Sequence, residues 1–137
     1  MKKMKQIEVY SLLDPSKLLG IVVKQASREE RINLTPASEI LQVSHLNFKN
    51  RSGVAAHSHK KIDRNTSGTQ EIWIIVKGKA LVNFYDTDND PILTTIVRKN
   101  NIVILFNGGH ALQKLTRSLS LIEIKNGPYL GLDTNAI

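Results

Sequence analysis

The sequence predicts an all-β protein built from antiparallel strands. The prediction depends on three observations: apolar runs rich in valine and isoleucine recur along the chain, each has the length of a strand, and turn residues separate them. The runs are GIVVK, ILQVSHLNF, EIWIIVK, KALVNFYD, ILTTIV, NIVILF and LSLIEIK. Short strands at this spacing are typical of β-sandwiches and β-barrels.

The length and composition fit one folded domain, residues 1–137. A chain of 137 residues can bury one hydrophobic core, and its 41% hydrophobic and 23% charged residues lie in the range of globular proteins. These values exclude a disordered or fibrous class, and no internal repeat or long linker divides the chain.

The amino-terminal stretch MKKMKQIEVYSLLDPSKLLGIVV begins with basic residues, but Glu8, Asp14 and Lys17 interrupt its apolar run. We therefore expect no signal peptide and no membrane span, but a basic tail that leads into a first strand or short helix. The chain contains no cysteine, which excludes disulfides, zinc–thiolate sites and cysteine nucleophiles. We expect a cytoplasmic protein.

The net charge is +7, yet the 19 lysines and arginines are scattered in small groups and aromatic residues make up only 5%. This distribution predicts no nucleic-acid partner, because stacking platforms are few and no basic stripe forms. The group Lys60, Lys61 and Arg64 leaves a phosphate-bearing small molecule open as a ligand. Exposed sheet edges suggest a homodimer.

The stretch SREERINLTPASEI has a weak helical signal: Ser27 could cap a turn, with Glu30 three residues later, before Pro36 ends it. We expect irregular structure or a single turn there. Further along, Lys77 and Gly78 lie between EIWIIVK and KALVNFYD, and glycine can adopt the positive φ that a tight turn needs. These two runs are therefore predicted to pair as a hairpin.

Turn signals also occur at DTDNDP, RKNN and FNGGH. The first contains Asp86, Asp88 and Asp90, the spacing with which a calcium loop opens. Pro91 stands where such a loop needs glycine and Val97 where it needs a bidentate glutamate, so we expect a solvated turn.

Two of the four histidines, His57 and His59, are two positions apart in GVAAHSHKK. Alternate residues of a strand share a face, so a strand here would present both imidazoles together. Such a pair suits a divalent metal, whose remaining ligands would come from other strands. The candidates are Glu71, at the head of EIWIIVK, and His110, after the Gly-Gly turn.

The order His57, His59, Glu71, then six residues to Gly78, and later His110 resembles the two motifs of the cupin superfamily, over about residues 40–127. The resemblance implies an antiparallel jelly-roll barrel in which His57, His59, Glu71 and His110 hold a divalent metal ion as cofactor. It departs from the family in the eleven residues between His59 and Glu71. In the second motif, Asn100 and Asn101 replace the usual Gly-Asp turn.

The tail IEIKNGPYLG resembles the end of a cupin branch often linked with bacterial surface-polysaccharide and sugar metabolism. The resemblance implies a small polar, carbohydrate-like ligand. Trp73, the only tryptophan, and Tyr129 are candidates for packing against a sugar ring. Lys60 and Arg64, next to the histidine pair, are candidates for binding a diphosphate.

Three functions stay open. The first is a metal-dependent cupin enzyme that acts on a small polar metabolite. The second is a metal-free nucleotide-sugar isomerase or epimerase in which His57 and His59 act as catalytic acid and base. The third is a binding module with the same pocket and no turnover.

Overall fold

A computed structural model describes residues 4–25, 29–49, 53–131 and 133–137. In these residues the protein is all-β, with ten strands and antiparallel pairing throughout, which confirms the predicted class. The strands are β1 (Lys5–Tyr10), β2 (Leu18–Gln25), β3 (Arg31–Asn33), β4 (Ser44–Leu46), β5 (Glu71–Lys77), β6 (Lys79–Tyr85), β7 (Pro91–Arg98), β8 (Ile102–Leu105), β9 (Gly109–Lys114) and β10 (Ser120–Lys125).

The strands form three sheets. The largest has the order β1-β2-β8-β5-β10, the second has the order β7-β6-β9, and β3 pairs with β4 in a third. Across the described segments the sheets stay separate and do not close into one barrel. Strands β10 and β9 are edge strands of the first and second sheets respectively.

The main core lies between the five-stranded and three-stranded sheets. Side chains from both sheets, among them Trp73 and Ile75 of β5 and Val82 and Phe84 of β6, form one buried cluster. Trp73 and Ile75 both belong to this cluster, and strand alternation places Glu71 on the same face.

The opposite face of the five-stranded sheet is also covered. Ile72 of β5 and Ile104 of β8 pack there with Leu34. Partly buried Ile32 of β3 and Val43, just before β4, pack against them. Burial on both faces explains why β5 and β8 are continuous apolar runs rather than strictly alternating ones.

The predicted hairpin of β5 and β6 is wrong. β5 pairs with β8 and β10, whereas β6 pairs with β7 and β9, so Gly78 connects two sheets. At φ +84° Gly78 turns the chain in one residue, and a Cβ there would lie 2.2 Å from the carbonyl oxygen of Ser118. The segment that precedes β10 therefore occupies the space beside Gly78, and β5 and β6 diverge into different sheets at this corner.

The turn of alternating aspartates is not wholly solvated as predicted. Asp86 is buried and accepts hydrogen bonds from Ser11 Oγ at 2.7 Å, from the Leu12 amide at 2.7 Å and from the Thr87 amide at 2.8 Å. Burial alone would raise the pKa of this carboxyl. The hydrogen bonds have the opposite and larger combined effect, so the pKa lies below its ordinary value of 3.8. Asp86 thus ties the turn after β6 to the turn between β1 and β2.

We expect Asp86→Asn to lower the melting temperature at pH 7 by roughly 3–6 °C, since one charged acceptor of these donors is lost. Because the folded pKa is depressed, the contribution of Asp86 is present above its unfolded pKa and disappears as pH falls through the folded value. Thermal melts from about pH 7 down to pH 2 should therefore converge for the two proteins at acid pH. A constant difference across this range would contradict the assignment.

The stretch predicted as irregular or as one turn contains the short strand β3, which pairs with β4. The predicted cap residue Ser27 lies outside the described residues. Within the segments that the structure describes, no helix has the length and apolar character needed to cross a membrane.

Candidate functional site

Glu71 begins β5 and faces the space between the two main sheets. It lies opposite Leu105 of β8 and opposite Lys125 of β10 in the strand register. His110, on β9, lies opposite Phe84 of β6. Opposite residues of an antiparallel pair share a face, so His110 also points toward the interior that Phe84 fills. Two sheets thus bring Glu71 and His110 together.

The Glu71 carboxylate is nearly buried and contacts a different basic group at each oxygen. Lys125 Nζ is 2.9 Å from Oε1, and His110 Nε2 is 3.4 Å from Oε2. A carboxylate only accepts hydrogen bonds, and both of these nitrogens can act as donors to it. About a third of each basic side chain is exposed, so the pair is accessible from solvent.

Two neighbouring carboxylates stabilise the charged form of Lys125. The hydrogen bond to Glu71 raises the pKa of Lys125 above its ordinary value, and the charges of Glu71 and Glu123 add to this against the opposing effect of burial. Glu123 Oε1 is 3.5 Å from the ammonium, and its Oε2 accepts a hydrogen bond from the Trp73 indole at 3.3 Å.

Trp73 borders the Glu71–His110 pair. Its ring contacts the His110 imidazole edge to face, with centroids 5.2 Å apart. Its burial in the core fits a structural role, while the contact places its indole beside the candidate site. Because the chain has one tryptophan, its fluorescence reports on this position alone.

His57 and His59 lie in a segment, residues 53–69, that is exposed and forms no strand. Their rings are in contact, with centroids 5.1 Å apart, so the predicted pair is close together, although not by strand alternation. His57 Nδ1 is 2.8 Å from the Ala55 carbonyl oxygen, which can only accept. The hydrogen is therefore on Nδ1, and Nε2 is the free nitrogen of the neutral ring.

The predicted metal ligands fall into two pairs, Glu71 with His110 and His57 with His59. Zinc sites use three or four protein ligands, and the described residues contain no group of three or more histidines, aspartates or glutamates that could hold a metal ion. In addition, the Lys125 ammonium already contacts Glu71. The four residues do not converge in this arrangement, and the four-ligand site stays a prediction.

A cavity of about 440 Å³ lies next to the Glu71–His110 pair, with Lys125 in its wall. Tyr129, predicted to bind substrate, also lines it, whereas Lys60 and Arg64 are exposed on the preceding segment and do not. A more open depression of about 510 Å³, beside Tyr10 and Glu39, contains none of the predicted site residues.

Lys125 is the site residue that the sequence analysis missed, and Asn126 is a second one. The alternation of Leu121, Glu123 and Lys125 along β10 places them on one face, which is a usable signal. The pairing of β10 with β5, which brings Lys125 to Glu71, joins residues far apart in the chain and has no local signal.

Comparisons of the chain with family models, curated proteins and solved structures found no match.

Proposed function

We propose that this protein binds, and can convert, a small polar metabolite of the carbohydrate-like class at the Glu71–His110 pair. One observation supports this above the others: a nearly buried carboxylate contacts an imidazole and an ammonium at an opening between two sheets. Polar groups at such a depth are costly to desolvate, and ligand sites commonly gather a few of them in an apolar surround.

The pair suits proton transfer. A carboxylate and an imidazole within contact distance can accept a proton from a ligand carbon or hydroxyl and return it, provided that water is largely kept away. Here Trp73 shields one side of His110 and Glu123 orients Lys125. In this proposal Glu71 and His110 take the acid–base role that the sequence analysis gave to His57 and His59, because the latter pair is exposed.

The proposed architecture is a jelly roll of the cupin type, opened into two facing sheets. It is supported by the antiparallel sheets that enclose one core and by the motif residues Glu71 and His110, which meet between them. We propose the cytoplasm as the compartment, in keeping with a chain that has no cysteine.

Trp73 fluorescence tests the proposal directly. We expect the emission to change when a ligand binds, because the indole contacts the His110 imidazole. The His110→Ala variant should weaken ligand binding by about tenfold or more, which corresponds to about 1.4 kcal/mol. Fluorescence titration with free sugars and nucleotide sugars measures the affinity of each protein.

The control for this experiment is His45→Ala, because His45 lies on β4, in the separate two-stranded sheet. It should bind the same ligands as tightly as the wild type does. If His110→Ala binds the same ligands with unchanged affinity, or if His45→Ala weakens binding equally, the Glu71–His110 pair is not the functional site.

A second candidate function is metal binding, which the contact between Glu71 and His110 favours, since two of the four predicted ligands already meet. It requires His57 and His59 to approach that pair. When bound, a divalent ion would supply Lewis-acid chemistry to a substrate oxygen.

Metal content after dialysis against zinc or manganese separates the two candidates. If the four residues form a site, one equivalent should bind, and Glu71→Gln and the His57→Ala, His59→Ala double variant should each lose most of it. Retention of metal in the double variant would remove His57 and His59 from any such site. The His45→Ala variant again serves as the matched control.

A further inference from the structure

The cavity beside Lys125 is built by two segments that come together at the start of β5 and the end of β10. Thr66, Gly68 and Thr69, which precede β5, form one side. Lys125 at the end of β10, residues 126–131 and Asp133 form the other. Its volume of about 440 Å³ lies in the range of small-molecule sites. Lys125 lines the cavity and also contacts Glu71, so the cavity adjoins the Glu71–His110 pair.

Three side-chain hydrogen bonds fix the two walls. Thr69 Oγ1 donates to Asp133 Oδ2 at 2.6 Å. The Asn126 side chain accepts from the Gln70 amide at 2.7 Å and donates to the Gly68 carbonyl at 3.1 Å. A cavity held in this way is formed before a ligand arrives, which lowers the entropic cost of binding.

The charges around the cavity are unbalanced. Lys125 and Asp133 in the lining carry opposite charges, and two further carboxylates, Glu71 and Glu123, contact the Lys125 ammonium from outside the lining. The hydrogen bond from Thr69 lowers the pKa of Asp133, so this carboxyl is ionised at neutral pH. Although the chain as a whole has a net charge of +7, this region has an excess of negative charge. An anionic ligand group would be repelled here.

The remaining groups suit a ligand with hydroxyls and one apolar face. A lysine ammonium has three hydrogens, and Glu71 and Glu123 accept two of them, which leaves one for a neutral oxygen. Asp133 keeps acceptor positions for ligand hydroxyls after binding Thr69. Tyr129 is 86% exposed at the edge of the cavity, so its ring is available to pack against a flat apolar surface.

We propose that this cavity, between the segment 66–69 before β5 and residues 125–131 with Asp133, binds an uncharged pyranose ring, with Lys125 and Asp133 contacting its hydroxyls and Tyr129 its apolar face. The proposal rests on the proposed function, since it names the ligand class and the place where the ring sits beside the Glu71–His110 pair. It excludes a phosphate or carboxylate group from this cavity.

The experiment is an amide NMR titration with the methyl α-glycosides of glucose, galactose and mannose and with methyl α-glucuronide. We expect at least one neutral glycoside to shift the amides of Thr69, Asn126, Gly127 and Gly131. The glucuronide should bind about tenfold more weakly than the glucoside, because it adds a like charge to the same ring. Asp133→Ala and Tyr129→Ala should each weaken the neutral ligand by about fivefold or more.

Matched controls are Asp63→Ala and Tyr10→Ala, the same residue types outside this cavity. They should bind as the wild type does, and all variants should keep the wild-type amide pattern on β6 and β8. The proposal is overturned if no neutral glycoside shifts the cavity amides, or if the glucuronide binds as tightly as the glucoside. His110→Ala should bind the glycosides more weakly and yet shift the same cavity amides at saturation, so a failure of the cavity and a failure of the Glu71–His110 pair give different results.

Discussion

Gly78→Ala is expected to lower the free energy of unfolding by about 3 kcal/mol or more. Two costs combine at this residue. A side chain at φ +84° is strained, and its Cβ would lie 2.2 Å from the Ser118 carbonyl oxygen, so the backbone before β10 must move. That movement would disturb the connection between the five-stranded and three-stranded sheets. Urea denaturation of the variant and the wild type measures the loss.

Two other glycines separate these costs. Gly68 has φ +85° with open space around its Cβ position, so Gly68→Ala should show backbone strain alone, about 1 kcal/mol. Gly53 has neither a neighbour within 4 Å nor a positive φ, so Gly53→Ala should change stability by less than about 0.5 kcal/mol. If Gly78→Ala costs no more than Gly68→Ala, the corner relaxes without affecting the sheets.

The error at Gly78 shows the limit of local signals. Both flanking strands can be predicted from the sequence, because their apolar content and length are local properties. A glycine with positive φ is compatible with a hairpin and with a corner between sheets, and the distant segment around Ser118 decides between them. Strand β9 was not predicted, for a related reason. Its sequence GHALQK is only weakly apolar, and it is a strand because it pairs with β6.

The candidate site also combines features that follow from local sequence with features that depend on distant strand pairing. Alternation along β5 was enough to place Glu71 inward with Trp73, and the structure also brings His110 to Glu71. The identity of the cation at Glu71 depended on the register between β5 and β10, which joins residues 71 and 125. For His57 and His59 the alternation argument required a strand, and no strand forms in residues 53–69.

Glu71→Ala should lower the free energy of unfolding at pH 8 by about 2–3 kcal/mol. Removal of one member of a buried ion pair leaves its partner poorly compensated, which typically costs about 3–5 kcal/mol. We reduce this figure because the Lys125 side chain is 35% exposed and solvent screens part of its charge. The matched control is Glu123→Ala, which removes the other carboxylate near the same ammonium, at 3.5 Å and 47% exposed. It should cost less than about 1 kcal/mol.

The pH dependence of this stability difference tests whether Lys125 is the partner of Glu71. The folded pKa of Lys125 is raised above 10.5, so the stabilisation by Glu71 is fully present below that pH and declines as pH rises through the folded value. The difference between Glu71→Ala and the wild type should therefore shrink above about pH 10.5. The double variant Glu71→Leu, Lys125→Met should recover most of the loss, because apolar side chains of similar size often replace a buried ion pair without net cost. If the double variant is no more stable than Glu71→Ala, the stabilisation by Glu71 comes from its contact with His110 instead.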